Sequence, residues 1–366
     1  MRTKSGSIYQ DKKTGRYRAM LSTSAGRPSK YFDTKQEAAD WLAKQQNAIL
    51  TGTYVEPSAI TLGGWLTTWL RDYKKDSISQ RTFELYVDLA GKCKDIAHFK
   101  LQQVSAPLIQ EFYRQLSDNG LGVPSIRKLH KVLKASFKKA LQIGIVPRNI
   151  MDAVEPPKKP KQEEIQTFSR DEISKILEAS REYCKGRYYP MILLAVTTGM
   201  RIGEVLAIRW CDISVKNHEV RVAQNLQVTK AKGIVFNPPK TAAGRRTISV
   251  PEITISQLMA IKRTRNVESI NGLVFLTANT HNPYEPHNIR KAWKTIVKNA
   301  DVPYRKFHTL RHTHATDLLA DGVPIVEVSR RLGHAQVSHT LNIYAHAIPR
   351  YDKEIATKVA QLYLAN

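Results

Sequence analysis

The run Pro156-Pro157-Lys158-Lys159-Pro160-Lys161 constrains what this chain can fold into more than any other stretch. Proline lacks a backbone N–H and locks φ, so no helix continues through this run, and the interleaved lysines favour an extended, solvated connection. The 366 residues are therefore divided near their middle. A second divider, Gly52-Thr53-Tyr54-Val55-Glu56-Pro57, lies upstream. The expected units are residues 1–55, 56–155 and 167–366, with 156–166 as a linker. The total length suits two or three domains, each able to bury a core.

Residues 1–55 read as three short strands and a helix. Ser7-Ile8-Tyr9-Gln10 precedes a Lys13-Thr14-Gly15 turn, Arg16 to Leu21 alternates, and Lys30-Tyr31-Phe32 follows a loop containing Gly26. Asp33 or Thr34 caps a helix running to about Leu50, whose Ala38, Trp41, Leu42 and Ile49 face the sheet. The other sheet face then carries basic residues, Arg16 and Arg18 among them, beside tyrosines. A ribbon so decorated can enter a major groove; the plain alternative is a packing or dimerisation appendage.

From residue 56 the spacing becomes helical. Trp65, Leu66, Trp69, Leu70 and Tyr73 repeat at helix period, as do Phe83, Tyr86 and Val87, then Ile109, Phe112, Tyr113 and Leu116, and these are expected in a core. The clearest amphipathic stretch runs from about Ser125 to Gln142. It sets Ile126, Leu129, Leu133, Phe137 and Leu141 against a stripe of Arg127, Lys131, Lys134 and Lys138. Beyond the linker, Ser169-Arg170-Asp171-Glu172 has the form of a capping box. Val220, Val222, Ile234, Val235, Ile248 and Val250 mark strands flanking Lys240, which puts that lysine on a turn whose mobility would let it enter and leave a site. Pro349 is expected to stop the helix that holds Tyr344. That leaves 350–366 as a tail with Ile355, Val359 and Leu362 in register, suited to docking on a neighbouring protomer.

Charge narrows the partner. The formal net charge is +25, and it is spread along the chain: ten Lys/Arg against four Asp/Glu in 1–55, eighteen against twelve in 56–165, and twenty-nine against sixteen in 166–366. A surplus carried by every segment favours a polyanion such as DNA or RNA over a merely solvated surface, which mixes signs more evenly. No apolar run approaches the roughly 20 residues needed to span a bilayer, and the N-terminus has no signal-peptide apolar region, so a cytoplasmic protein without membrane contact is expected. Cys93, Cys184 and Cys211 lie far apart with no C-x-x-C spacing, which argues against a disulfide framework.

The chemistry is concentrated late in the chain. Tyr344 follows Leu332-Gly333-His334 by ten residues, and that turn follows His308-Thr309-Leu310-Arg311-His312. Thr198-Gly199-Met200-Arg201-Ile202-Gly203-Glu204 and an isolated Lys240 stand upstream. A phenol ionises near pH ~10, so a tyrosine nucleophile needs a basic acceptor or a positive field. Attack on a phosphodiester builds negative charge on its non-bridging oxygens, which two guanidinium forks, Arg201 and Arg311, are shaped to hold. The departing sugar oxygen needs a proton, a role for Lys240. His308 and His334 offer further donors to the phosphate, and either can exchange a proton with the tyrosine. No metal and no cofactor is required. Each residue alone has a bland reading. Arg-x-x-Glu on a helix is ordinarily a surface ion pair, a lone tyrosine is ordinarily core or surface, and Lys240 alone carries almost no signal. His308 and His312, four apart with His314 close behind, raise a metal site, but no carboxylate or cysteine accompanies them.

Taken together these motifs resemble the tyrosine recombinase, or phage integrase, family. Its pattern reads here as T-G-M-R-I-G-E at 198–204, Lys240 in P-P-K-T at 238–241, H-T-L-R-H at 308–312, L-G-H at 332–334 and N-I-Y at 342–344, with all six positions filled. The resemblance covers roughly 195–346. It implies that Arg201, Lys240, His308, Arg311 and His334 surround a scissile phosphate, and that Tyr344 becomes attached to the 3′ phosphate while a 5′ hydroxyl leaves. It implies a site-specific recombinase of a bacterial phage or mobile element, working without ATP as a homotetramer on double-stranded DNA. The fold class expected is mainly α with small β elements: an N-terminal three-stranded sheet plus helix similar to arm-binding domains, a helical core-binding domain, and a mixed α/β catalytic domain. In that setting Arg16, Arg18, Arg127, Lys131, Lys134 and Lys138 are expected to meet DNA, at arm and core sites, and the linker lies along the backbone so that two domains clamp the duplex. A directionality factor and a host DNA-bending protein are partners that the resemblance makes plausible. The rivals are a type IB topoisomerase, using nearly the same chemistry as a monomer, and a binding-only regulator.

Overall fold

The computed structural model describes residues 6–23, 26–160, 166–264 and 272–345, and positions 357, 359, 361 and 362. The chain is mainly helical and forms two compact units, Met1–Gln162 and Glu163–Asn366. Pro349, Ile355, Lys161 and most of the tail lie outside the described residues; Val359 and Leu362 are exposed.

The first unit opens with β1 (Ser7–Gln10), β2 (Tyr17–Met20) and β3 (Ser29–Phe32), an antiparallel sheet in the order β1-β2-β3, followed by α1 (Lys35–Leu50). Thr34 is the cap of α1: its side chain accepts from Glu37 N at 3.2 Å while Glu37 Oε2 accepts from Thr34 N at 3.4 Å. Asp33 pairs with Arg16 instead, at 2.8 Å. Ala19 and Leu21 are fully buried, as are Ala38 and most of Leu42 on α1. The strand alternation that buries Ala19 turns Arg18 outward. There it stands directly opposite Tyr9 on one neighbouring strand and Tyr31 on the other.

Four helices make the rest of this unit: α2 (Leu62–Trp69), α3 (Gln80–Gly91), α4 (Ala106–Asp118) and α5 (Val123–Gln142). Trp65, Trp69, Ile109, Phe112, Ile126, Leu129, Leu133 and Phe137 fill the core between them. Three residues expected inside are outside. Tyr73 is 36 % exposed because α2 continues into a π-turn over Leu70–Lys74, and the wider turn rotates Tyr73 away from the apolar face. Its ring is covered instead by the Lys139 ammonium, 4.6 Å from the ring centre. Val87 lies one position off the row of Phe83, Tyr86 and Ala90, and Leu141 lies on the last turn of α5; both are exposed. On the basic side of α5, Arg127 donates to Pro157 O at 2.6 Å and Lys134 pairs with Asp152 at 2.9 Å. Lys131 and Lys138 are exposed, with no ion pair among the described residues.

The second unit begins with α6 (Arg170–Glu182), started by the capping box of Ser169 and Glu172. Then come α7 (Tyr189–Thr198), α8 (Ile202–Leu206), β4 (Ile213–Ser214), β5 (Glu219–Val222), β6 (Asn225–Thr229), β7 (Gly233–Asn237) and β8 (Arg246–Ser249). Helices α9 (Glu252–Thr264), α10 (Pro286–Asn299), α11 (Thr309–Ala320), α12 (Ile325–Leu332) and α13 (Val337–Tyr344) follow. β4, β5 and β8 form one antiparallel sheet, and β6 and β7 a separate hairpin. α7 is apolar on nearly every side and sits inside the main core with Val205, Val220, Ile248, Leu258 and Trp293. A smaller cluster gathers Ala315, Leu319, Val328, Leu332 and Tyr344, and so fixes α13 to α11 and α12.

Candidate active site

Glycine makes the turn that delivers Arg201. Gly199 ends α7 in the left-handed region, φ +64°, and a Cβ there would stand 2.7 Å from the His314 ring and 2.9 Å from Leu332. Arg201 then precedes α8. Its backbone N–H donates to Glu204 Oε2 at 3.0 Å and its Nη1 to Oε1 at 2.9 Å. Glu204 is buried, and a second guanidinium reaches it from β8: Arg246 Nη2 donates to Oε2 at 3.0 Å. Burial pushes the Glu204 carboxyl up, but Arg246 and Arg201 outweigh it and hold the group below the usual carboxylate range. Arg246 also donates to Arg331 O at 2.6 Å and Gly244 O at 3.2 Å.

Arg311, in the first turn of α11, is 2 % exposed. Its Nη1 donates to Gly199 O at 2.9 Å, and its Nη2 to Leu332 O at 2.7 Å and to His334 Nε2 at 2.9 Å. Among the described residues it has no carboxylate partner. Burial first, then the charge of Arg201, lowers its pKa to about 9, so the group is still a cation at neutral pH. Because His334 Nε2 accepts from Arg311, the ring proton sits on Nδ1 and is donated to Thr340 Oγ1 at 2.7 Å. Burial and Arg311 push His334 down to about 3, which keeps it neutral. Gly333 before it is left-handed, φ +71°, and a Cβ there would meet Ala243 O and Arg246 Nη1, each at 2.9 Å. The L-G-H turn thus packs against the segment that carries Lys240.

Arg201, Lys240 and His334 line one cleft of about 420 Å³, together with Glu204, Thr241 and Gly333. Lys240 is exposed in the segment between β7 and β8, just beyond the β6–β7 hairpin rather than at its tip. His308 immediately precedes α11, with an exposed side chain whose ring meets that of His312 edge-on at 4.9 Å. Loss of water around the ring, then His312, Arg311 and Arg201, lowers its pKa.

Tyr344 is 1 % exposed and ends α13. Its hydroxyl lies 2.7 Å from His312 Nδ1, not against His308 or His334, either of which was an expected proton partner. The reason is helical period: His312 is one turn deeper along α11 than His308, where α13 packs. Burial pushes the Tyr344 phenol up to about 12, against the opposing pull of Arg311 and Arg201. The Arg-x-x-Glu pair expected at the surface is built on a buried Glu204, and sequence reasoning missed Arg246 as its second partner and Thr340 as the partner of His334. The His308/His312 spacing was the readable signal for the tyrosine's partner, and it had suggested a metal pair. Among the described residues no group of three metal-ligating side chains forms.

The arrangement is an open cleft with Arg201 and Lys240 at its wall, a neutral imidazole held between Arg311 and Thr340, and a buried phenol beside His312. Comparison with known proteins agrees with that chemistry. The model of the phage integrase family matches residues 166–350. The chain is 32 % identical over 360 residues to the tyrosine recombinase XerC-like protein of Caldanaerobacter subterraneus subsp. tengcongensis, covering 91 % of each. It therefore belongs to the phage integrase family of tyrosine recombinases. Among solved structures it superposes on the Tn1549 transposon integrase in complex with a circular intermediate DNA, at TM-score 0.72 and 19 % identity, over 82 % of this chain and 99 % of that one. It also matches lambda integrase in a tetramer bound to a Holliday junction, at TM-score 0.58 and 17 % identity, over 91 % and 94 %. No helix among the described residues is long and apolar enough to cross a membrane.

Proposed function

We propose that the chain is a site-specific DNA recombinase that integrates, and also excises, a phage or mobile element through a 3′-phosphotyrosine intermediate. The observation that carries this reading is the convergence of Arg201, Lys240 and His334 on one cleft, with Arg311 hydrogen-bonded to His334 and the Tyr344 hydroxyl held by His312, the residue after Arg311 on α11. Arg201 and Arg311 hold the non-bridging oxygens, His308 donates to the same phosphate, and Lys240 protonates the departing 5′ oxygen; His334, whose ring nitrogens are engaged by Arg311 and Thr340 at rest, turns a ring N–H to the phosphate only by leaving one of those partners. Tyr344 forms the covalent bond. Storing the phosphodiester energy in that bond removes any need for ATP.

Residues 1–55 act as an arm-binding domain through Arg16 and Arg18, and 56–155 as a core-binding domain through Lys131 and Lys138, with Arg127 and Lys134 as shared structural and phosphate contacts. Residues 156–166 link them to the catalytic domain. The active form is a homotetramer on two duplexes, as the lambda integrase assembly suggests by likeness of fold. Two DNA-binding regions on one chain raise local concentration and bridge separated sites. A directionality factor and a host bending protein fit this scheme, in the cytoplasm of a bacterial cell.

The test is a nicked suicide substrate built from the ends of the encoding element, incubated in EDTA with wild type and Tyr344→Phe. A 3′-phosphate adduct formed by the wild type and absent from the variant is expected. A substrate that is bound without any adduct overturns the reading.

A further inference from the structure

We propose that His312 is the general base that takes the proton of Tyr344 when the tyrosine attacks DNA. This rests on the recombinase reading of the site and assigns one of its steps. The Tyr344 hydroxyl is buried, and His312 Nδ1, at 2.7 Å, is the one acceptor within hydrogen-bond reach among the described residues. The direction of that bond follows from accounting for the phenolic proton. Were Nδ1 to carry a proton and donate, the buried O–H would have no acceptor, at the full desolvation cost of an unsatisfied group. The hydroxyl therefore donates, Nδ1 accepts, and the ring proton of His312 is on Nε2.

The electrostatic setting favours this direction of transfer at neutral pH. Facing His312 are His308 from the residue before α11, Arg311 from α11 itself and Tyr344 from α13, with Arg201 across the site. Burial and Arg311 keep His312 unprotonated at rest, so it is free to accept. Arg311 and Arg201 favour the phenolate. Arrival of a phosphate dianion-like transition state between those arginines offsets their positive field, and an imidazolium then becomes easier to form beside it. His308 lies one turn nearer the surface, with its ring edge-on to His312, and remains available to the phosphate.

The step balances. The bond from Tyr344 Oη to phosphorus forms as the bond from phosphorus to the 5′ oxygen breaks; the tyrosine proton moves to His312 Nδ1, and Lys240 gives a proton to the 5′ oxygen. In the joining step the 5′ hydroxyl attacks phosphorus and gives its proton back to the neutral Lys240 amine, the bond from phosphorus to Tyr344 Oη breaks, and the imidazolium returns its proton to Tyr344.

The experiment is single-turnover cleavage of the suicide substrate across the imidazole and phenol pH ranges by full-length wild type, His312→Ala and His312→Asn, with DNA binding measured for each. Loss of a general base costs on the order of 10²-fold, so His312→Ala is expected to cleave about that much more slowly at neutral pH. Its rate should keep rising with pH toward the ionisation of the phenol, whereas the wild type levels off above the His312 titration. His312→Asn keeps a short polar acceptor but cannot take a proton, and should stay slow; free imidazole should restore part of the His312→Ala rate. Recovery in His312→Asn with a wild-type pH profile would mean that His312 only positions the tyrosine. Unchanged or faster cleavage by His312→Ala would mean that it restrains it. Either overturns the proposal while the wild-type adduct leaves the recombinase reading standing; a wild type that forms no adduct sinks that reading instead.

Discussion

Arg311 and Arg18 are both guanidinium groups held in place by their neighbours, one in the catalytic unit and one on the N-terminal sheet, and they are held in opposite ways. Arg311 is enclosed, with three of its five N–H donors given to two backbone carbonyls and an imidazole. Arg18 lies across an open sheet face, 5.9 Å from the ring centre of Tyr9 and 5.4 Å from that of Tyr31, and donates to Tyr9 Oη and Ser29 Oγ. Among the described residues neither is paired with a carboxylate. The difference teaches what each is for. A charge stored in a dry, preorganised site acts strongly on one phosphate at one position. A charge left in water acts weakly on any phosphate that passes, and gains from stacking and shape rather than from field strength.

The sharpest way to break this contrast is Arg311→Lys. An ammonium keeps the charge but cannot span Gly199 O, Leu332 O and His334 at once, so covalent cleavage should fall by about 10³-fold while duplex affinity changes little. A variant retaining a tenth of wild-type cleavage would show that the fixed fork is unimportant.

Glu204→Gln should come next. It leaves Arg246 buried beside an uncharged amide, at a cost of about 3 kcal/mol in urea unfolding of the catalytic unit. The pH dependence has a definite sign. The folded Glu204 pKa is lowered, so its stabilisation is present above the ordinary glutamate range and is lost as pH falls through the lowered value. Acid unfolding of the variant should therefore be shallower than that of the wild type. Equal steepness would mean that the carboxylate is not ionised at rest.

The smallest effect belongs to Arg18→Ala. If Arg18 meets a phosphate as proposed, its removal should weaken binding to arm-containing duplex by about tenfold and reduce the slope of log K against log salt by about one, with core cleavage unchanged. If core cleavage fell as well, the sheet would be contributing to the reaction and the two regions would not differ as described.

Much of the site was legible because its signals are local. Ser169 announces its helix three residues ahead of Glu172, Asp33 and Thr34 mark the start of α1 without deciding which of them is the cap, and Leu332-Gly333-His334 reads as a turn before any tertiary contact is known. Strand alternation likewise put Arg18 on the outer face of the first sheet. What remained hidden depends on which elements cross. Arg246 and Glu204 are forty-two positions apart in sequence. Nothing in either segment says that a β8 arginine will complete an α8 glutamate. His312 was visible as half of an i, i+4 histidine pair, but its partner is decided by how α13 packs on α11. Tyr73 and Leu141 failed for a related reason: apolar period predicts a face, and a π-turn or a helix end changes where that face points.

The three hydrogen bonds of Arg246 also act on time. By fastening Gly244 to α8 and to the end of α12, they turn the span from Asn237 to Gly244 into a tether pinned at both ends. The ammonium of Lys240 then explores a volume set by the length of that tether, at an effective concentration in the millimolar range or above. If Lys240 is the proton donor proposed above, lengthening the tether with inserted glycines would dilute it without altering the settings of Arg201 and Arg311, and strand transfer would slow by the ratio of the two volumes.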